Sequence, residues 1–283
     1  MDGHGRSPRR KGYRLWINER LSATVYDVLD RRFRNAAIDG GIITDPQIII
    51  VALVFLAAGA LAGAASFGLP ALAIGVLAAI QEPRVAIATA VFPILLGGLR
   101  QLSISGGWLA LRQLWMLAVV MTICLSVTAD VATRLSAAAL ASAIAAALFL
   151  FSASALAKPA SPGESRMDAA AQSLAGFSSG VIGGLSAVWS PPLRIYLHAR
   201  GLDEDEAAGV SAWFLCLGSV VLATVYWRAG LLAPPTAVAS LLMCVPAYAG
   251  LAIGEHLAGT VPVRAARAIV HATCLLAAGN LVR

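Results

Sequence analysis

Gly59-Ala-Leu-Ala-Gly63-Ala-Ala-Ser66-Phe-Gly68-Leu-Pro70 lies inside a long apolar run. The same punctuation returns 121 positions later, inside another apolar run, as Gly180-Val-Ile-Gly-Gly184-Leu-Ser-Ala-Val-Trp189-Ser190-Pro191. The shared pattern is Gly-x-x-x-Gly-x6-Pro. Glycine and proline loosen or interrupt a helix, and inside a bilayer they free backbone groups to meet a polar ligand. The pair therefore predicts an internal duplication and a job of moving something polar across a membrane.

Composition supports the membrane. The chain has 283 residues, 59% hydrophobic and 13% charged, against about 25% charged for soluble domains. Gln47 to Ile80 is 34 residues without one ionisable side chain. Runs of this kind read as an all-α polytopic membrane protein. A β-barrel would show short alternating segments instead of continuous Ala- and Leu-rich ones.

Hydrophobic segments are expected at about 47–80, 85–104, 112–130, 136–157, 169–199, 206–227, 231–254 and 264–281. That is about eight, in two repeats of four. Residues 1–44 form a basic, partly amphipathic extension, 45–157 the first repeat, 158–168 a Pro/Gly/Ser linker and 169–283 the second repeat. As one straight helix, the first segment would reach about 50 Å against a hydrocarbon core of about 30 Å. It must be broken, or turn back within the membrane. The break is expected near Gly68 and Pro70, and its counterpart near Trp189-Ser190-Pro191-Pro192, where two consecutive prolines lack backbone donors. Sliding residues 59–93 over 180–214 without a gap gives seven identities in 35 pairs, the two glycines and the proline among them.

Nine Lys and Arg fall within the first 34 residues, and the formal net charge is +6. Ahead of a first span this reads as a positive-inside anchor touching anionic headgroups, not as a nucleic-acid surface. The expected location is the cell inner (plasma) membrane with the N-terminus cytoplasmic. With every segment taken as one crossing, the loops at 100–112, 158–168 and 228 share that side.

No metal, cofactor or catalytic constellation is expected. Cys124, Cys216, Cys244 and Cys274 lie in separate apolar segments without ligand spacing. The candidate substrate-binding residues are Ser66, Gly68, Pro70, Arg100, Trp189, Ser190, Pro191, Arg194 and Tyr196. Half-helix N-termini and small hydroxyls suit a small anion. Gly59, Gly63, Gly180, Gly184 and Pro192 are read as break and packing positions. Arg100 follows Gly97-Gly98 and faces either a cavity or the surface. His271 and Asp130 are candidates for carrying a proton, His271 alternatively for a helix–helix hydrogen bond. The sequence is silent on a homo-oligomer.

Gly180-Val-Ile-Gly-Gly184, followed by Ser190-Pro-Pro-Leu-Arg-Ile-Tyr-Leu-His-Ala-Arg-Gly-Leu202, resembles the second-repeat signature of the sulfite exporter TauE/SafE family. Gly59-Ala-Leu-Ala-Gly63, Phe67-Gly68 and Glu82-Pro-Arg-Val-Ala-Ile-Ala88 resemble the first. Ser190 stands where the family usually has glycine, and Arg194 where its members are usually apolar. The resemblance covers roughly 50–280. It implies a secondary transporter, with sulfite or organosulfonates as substrate class and no ATP-binding part. A passive anion channel, or a membrane scaffold recruiting a partner through the basic extension, are the alternatives.

Overall fold

The computed structural model describes residues 46–65, 68–105, 113–154, 169–202, 204–258 and 262–282. The basic extension, Ser66 and the 158–168 linker lie outside the described residues. The chain divides into two units, 1–49 and 50–283, and the helical bundle is the second of them.

Among the described residues there are ten helices and no strand. They are α1 (Pro46–Ala65), α2 (Leu69–Ile80), α3 (Pro83–Ser105), α4 (Trp115–Ala132) and α5 (Ala137–Ser154), then α6 (Ala169–Ser186), α7 (Ser190–Ala199), α8 (Glu204–Arg228), α9 (Pro234–Leu257) and α10 (Val263–Leu281). Six of them, α1, α3, α4, α5, α8 and α9, are long and apolar enough to cross a membrane. Their outward faces are apolar too. α4 buries Leu117, Met121, Leu125 and Ala129 while exposing Val119, Ile123 and Val127. A helix apolar all round belongs in lipid. The chain is a multi-pass membrane protein.

Both long apolar runs are interrupted where the glycines and prolines stand. Gly68 adopts φ 99°, a left-handed conformation that only glycine takes at no steric cost, and α2 starts just after it with Pro70 in its first turn. The second interruption is at Ala187, Val188 and Trp189. Ala187 carries a positive φ of 55°, and the Ser186 hydroxyl accepts the Val188 N–H at 3.1 Å. Pro191 and Pro192 then fall in the first turn of α7, where the missing N–H groups would have no intrahelical partner anyway.

Each interruption turns the chain back. Gly59 and Gly63 of α1 abut Ala247, Leu251 and Glu255 of α9 in ascending order, so these helices run parallel. α9 in turn runs parallel to α3, with Ser240 beside Thr89 and Glu255 beside Arg100. α2 lies antiparallel to α3, to which it is joined by a two-residue turn, with Leu69 against Gly97. In the second half, Gly176, Gly180 and Gly184 of α6 climb Leu117, Met121, Leu125 and Ala129 of α4 in the same direction. α3 and α8 are antiparallel. Gly98 meets Leu215 and Cys216, while Tyr226 lies close enough to Glu82 and Arg84 to feel their charges.

These directions correct the loop grouping expected from the sequence. Tyr226 and Arg228 belong with the start of α3, and Arg100 with its other end. The single-crossing count missed the reversals at Gly68 and Trp189.

Two further prolines sit inside helices, Pro93 in α3 and Pro246 in α9. Pro93 cannot donate to the carbonyl of Thr89 four residues back. The Ser240 hydroxyl takes that role from α9, donating to Thr89 O at 2.8 Å and accepting from the Phe92 N–H at 3.2 Å. Ser240 is fully buried. Ser240→Ala is therefore expected to destabilise the fold by about 1–3 kcal/mol, the cost of leaving a buried polar group unpaired. Thermal unfolding in detergent reads this out, and an unchanged midpoint would mean that water or a backbone shift replaces the hydroxyl.

Candidate functional site

The two interruptions meet. Gly68, Leu69 and Pro70 from the first, and Trp189, Ser190, Leu193 and Arg194 from the second, line one cavity of about 170 Å³. α3 contributes Gly97, Gly98 and Gln101, α8 contributes Ser211 and Leu215, and α10 contributes Arg267. Such a volume takes a small anion of several heavy atoms, since a single water needs only about 10–15 Å³ on this measure.

The glycines let the walls of the cavity pack closely. Leu69 fills what would be the Cβ position of Gly97, and Cys216 and Leu215 fill that of Gly98. Trp189 is 2% exposed. Its indole is held between Gly183 of α6 and Gly218 of α8, either of which would collide with it if it carried a Cβ. The ring thus forms the inner wall of the cavity because both neighbouring helices lack side chains there.

The electrostatics are one-sided. Arg194 and Arg267 both line the cavity, and among the described residues no lining side chain is acidic. α2 and α7 also begin here, and neither has a side-chain cap on its N-terminus. Their first-turn N–H groups and dipoles favour negative charge. The two prolines of α7 leave the N–H groups of Ser190 and Leu193 as that helix's earliest donors. Hydroxyls of Ser190 and Ser211 and the amide of Gln101 add directional partners. Together these groups can hold a small oxyanion with charge and hydrogen bonds from several sides.

Other sequence candidates stand elsewhere. Arg100 is not on the cavity wall. Its Nε donates to Glu255 Oε1 at 2.8 Å and its Nη2 to Oε2, and the guanidinium lies 4.5 Å over the Tyr248 ring. A bidentate pair with a stacked cation fastens α3 to α9 one residue away from Gln101. The Tyr196 hydroxyl accepts from Arg200 Nη1 at 3.0 Å, away from the lining. Pro191 is buried and Pro192 half-buried, behind the lining. Asp130 is exposed and paired with Arg134 at 2.8 Å. His271 lies on α10 one turn beyond Arg267, close enough to Arg194 and Arg267 to feel both charges. Its ring stands 5.2 Å from that of Phe151, and its carbonyl accepts from Ser152 at 3.2 Å.

Sequence reading missed Gln101, Ser211 and Arg267. Arg267 carried a signal, a cation one turn inside the last apolar segment. Gln101 and Ser211 carried none, since their place depends on which faces of α3 and α8 turn inward.

No curated protein and no solved structure matches the chain. A family model, sulfite exporter TauE/SafE, matches residues 51–281, which takes in every helix that lines the cavity. The chain belongs to the sulfite exporter TauE/SafE family.

Proposed function

We propose that the protein is a secondary transporter, working as an exporter, of small anions such as sulfite or organosulfonates. It would work by alternating access around a midplane site where the two broken runs meet. One observation carries this reading: two interruptions 121 residues apart in the chain line a single cavity together with two arginines and no described acidic side chain. A scaffold would have no use for that convergence. Family membership supports the substrate class.

The finer architecture proposed is two inverted repeats, 45–157 and 169–283, each of four hydrophobic segments. The helix order supports it. α1 to α5 and α6 to α10 both read long, short, then three long. The packing supports it as well. α1 lies along α9 as α6 lies along α4, while the corresponding pairs α3 with α8 and α5 with α10 are in contact. An axis in the membrane plane makes corresponding helices antiparallel. α3 and α8 are so, and in α5 and α10 Leu148 and Phe151 fall beside Ala277 and Val270 through their shared neighbours Gly75 and Gly68.

Within this reading Gly68, Pro70, Trp189, Ser190 and Arg194 hold the anion, with Pro191 behind them; Ser66 lies outside the described residues. Arg100 steadies the cavity mouth through Glu255. His271, beside both cavity arginines, is the better placed of the two proton-coupling candidates. The basic extension keeps the N-terminus on the cytoplasmic side of the inner membrane against anionic headgroups.

The test is flux of labelled sulfite and sulfoacetate in proteoliposomes, with and without a proton gradient. Saturable flux is the expected result. Flux that rises linearly with concentration would indicate a channel. No movement of any anion would remove the transport reading altogether.

A further inference from the structure

The cavity ends at Trp189, yet a line of polar atoms continues past it. α8 lines the cavity with Ser211 and Leu215. Further along the same face, at helical spacing, come Gly218 and Ser219, then Leu222, then Tyr226. Ser219 is 1% exposed and Tyr226 is fully buried. Neither the Ser219 Oγ nor the Tyr226 hydroxyl has a hydrogen-bond partner among the described residues, and neither does Trp189 Nε1. Tyr226 reaches the corner between α2 and α3, where the buried Gln81 Nε2 also lacks a partner among the described residues and the Glu82–Arg84 pair, 3.7 Å apart, lies close by with its charges offset.

Buried polar groups in proteins are nearly always paired, more so where no water can help. Four unpaired groups between the inner wall of a cavity and the opposite end of the bundle are not explained by packing. All four can donate, and none is acidic, so they match the polarity of the cavity itself. Leu222, 1% exposed, sits between Ser219 and Tyr226 and closes the line.

From this we infer that Ser219 and Tyr226 line the second half of the anion path, closed in this structure, and become the anion's hydrogen-bond donors when the protein faces the other way. The inference rests on the transporter reading and adds the residues of the opposite-facing state. The Trp189 indole separates the two halves. It is gripped between Gly183 and Gly218, so the two helices that carry them set its position.

The experiment compares wild type, Ser219→Ala, Tyr226→Phe and the double variant. Sulfite flux is measured in proteoliposomes, and sulfite affinity and thermal unfolding in detergent. Each single variant is expected to lower maximal flux by about 10-fold, the loss of one hydrogen bond to a charged group. Affinity at the cavity should hold, and thermal stability should stay level or rise, because no bond made in this state is lost. A merely structural hydroxyl would show the reverse, lower stability with flux intact, and that result overturns the inference. Ser219→Cys supplies an independent reading. Its modification by a small anionic thiol reagent, above the background of the native cysteines, should speed up when sulfoacetate, which does not attack the reagent as sulfite would, is present and turnover proceeds. A thiol equally protected with and without sulfoacetate, together with wild-type flux in Tyr226→Phe, overturns it as well. If the wild type moves no anion, the transporter reading fails first and this one with it; variants that match a transporting wild type sink this inference alone.

Discussion

Arg194→Ala is expected to weaken anion binding by roughly 10- to 150-fold, which corresponds to the about 1.5–3 kcal/mol of a hydrogen bond to a charged group. Arg194 sits one turn into α7, on the wall of the cavity. The segment that carries it begins at a double proline, so its backbone is stiff and the guanidinium starts from a fixed base. An arginine held in a membrane protein is costly unless it faces a cavity or a partner, and here it lines a cavity that, among the described residues, has no acidic side chain on its wall. Arg194→Lys should recover only part of the loss. A lysine keeps the charge but gives up the planar fork that grips two oxygens of one anion. Arg267→Ala should act in the same direction, and the double variant should lose less than the sum if both cations touch the same ligand. Sulfite affinity in detergent is the measurement, with thermal unfolding alongside to separate lost binding from lost fold. An Arg194→Ala protein with wild-type affinity would take Arg194 out of the site.

The interruptions were legible because glycine and proline act through local backbone physics. Gly68 with Pro70, and Pro191 with Pro192, announce an interrupted helix whatever surrounds them; that Gly68 is left-handed and that the prolines open the next helix is seen only in the structure. The meeting of the two interruptions was legible from their matched spacing. Side-chain destinations were less so. Arg100 closely follows two cavity glycines in sequence, yet a helix turns about 100° per residue. That rotation carries it off the cavity face to Glu255, a partner on α9 whose register no local pattern reveals. Arg267 was missed for a related reason. The expected segment, 264–281, already included it, but the sequence does not say that the first turn of a helix beginning at Val263 faces the cavity. The loop grouping failed at the same level: a turn back within the membrane changes the side of every loop that comes after it, and hydropathy does not record direction.

Gly184→Ala and Gly254→Ala are expected to be among the most damaging single substitutions in the chain. At Gly184 a Cβ would run into the Thr128 hydroxyl and come within 2.8 Å of both Ala129 N and Leu125 O. At Gly254 it would strike Ala60 O and stand 2.9 Å from Ala64 N. These obstacles are mostly backbone, which cannot swing aside as a side chain would, so two helices must separate along their length. Separation also breaks the bond from Thr128 Oγ1 to Gly180 O, 3.0 Å long, across α4 and α6. Overpacking of this kind costs about 1–3 kcal/mol and more where nothing can relax. In a bundle held by close helix contact instead of water exclusion, the expected readout is loss of the monodisperse peak in detergent and of flux together. Thr128→Ala in the Gly184→Ala background removes the worst single collision but leaves the two backbone ones, so it should rescue only partly. Full rescue would mean that the threonine alone, not the approach of the backbones, sets the requirement for glycine. Gly279→Ala is the control. It lies in α10 with nothing within 4 Å of the added carbon and no positive φ. There alanine should be neutral or stabilising by about 0.4–1 kcal/mol, through the narrower unfolded ensemble. If Gly279→Ala proved as damaging as Gly184→Ala, helix contact would not be what these glycines supply.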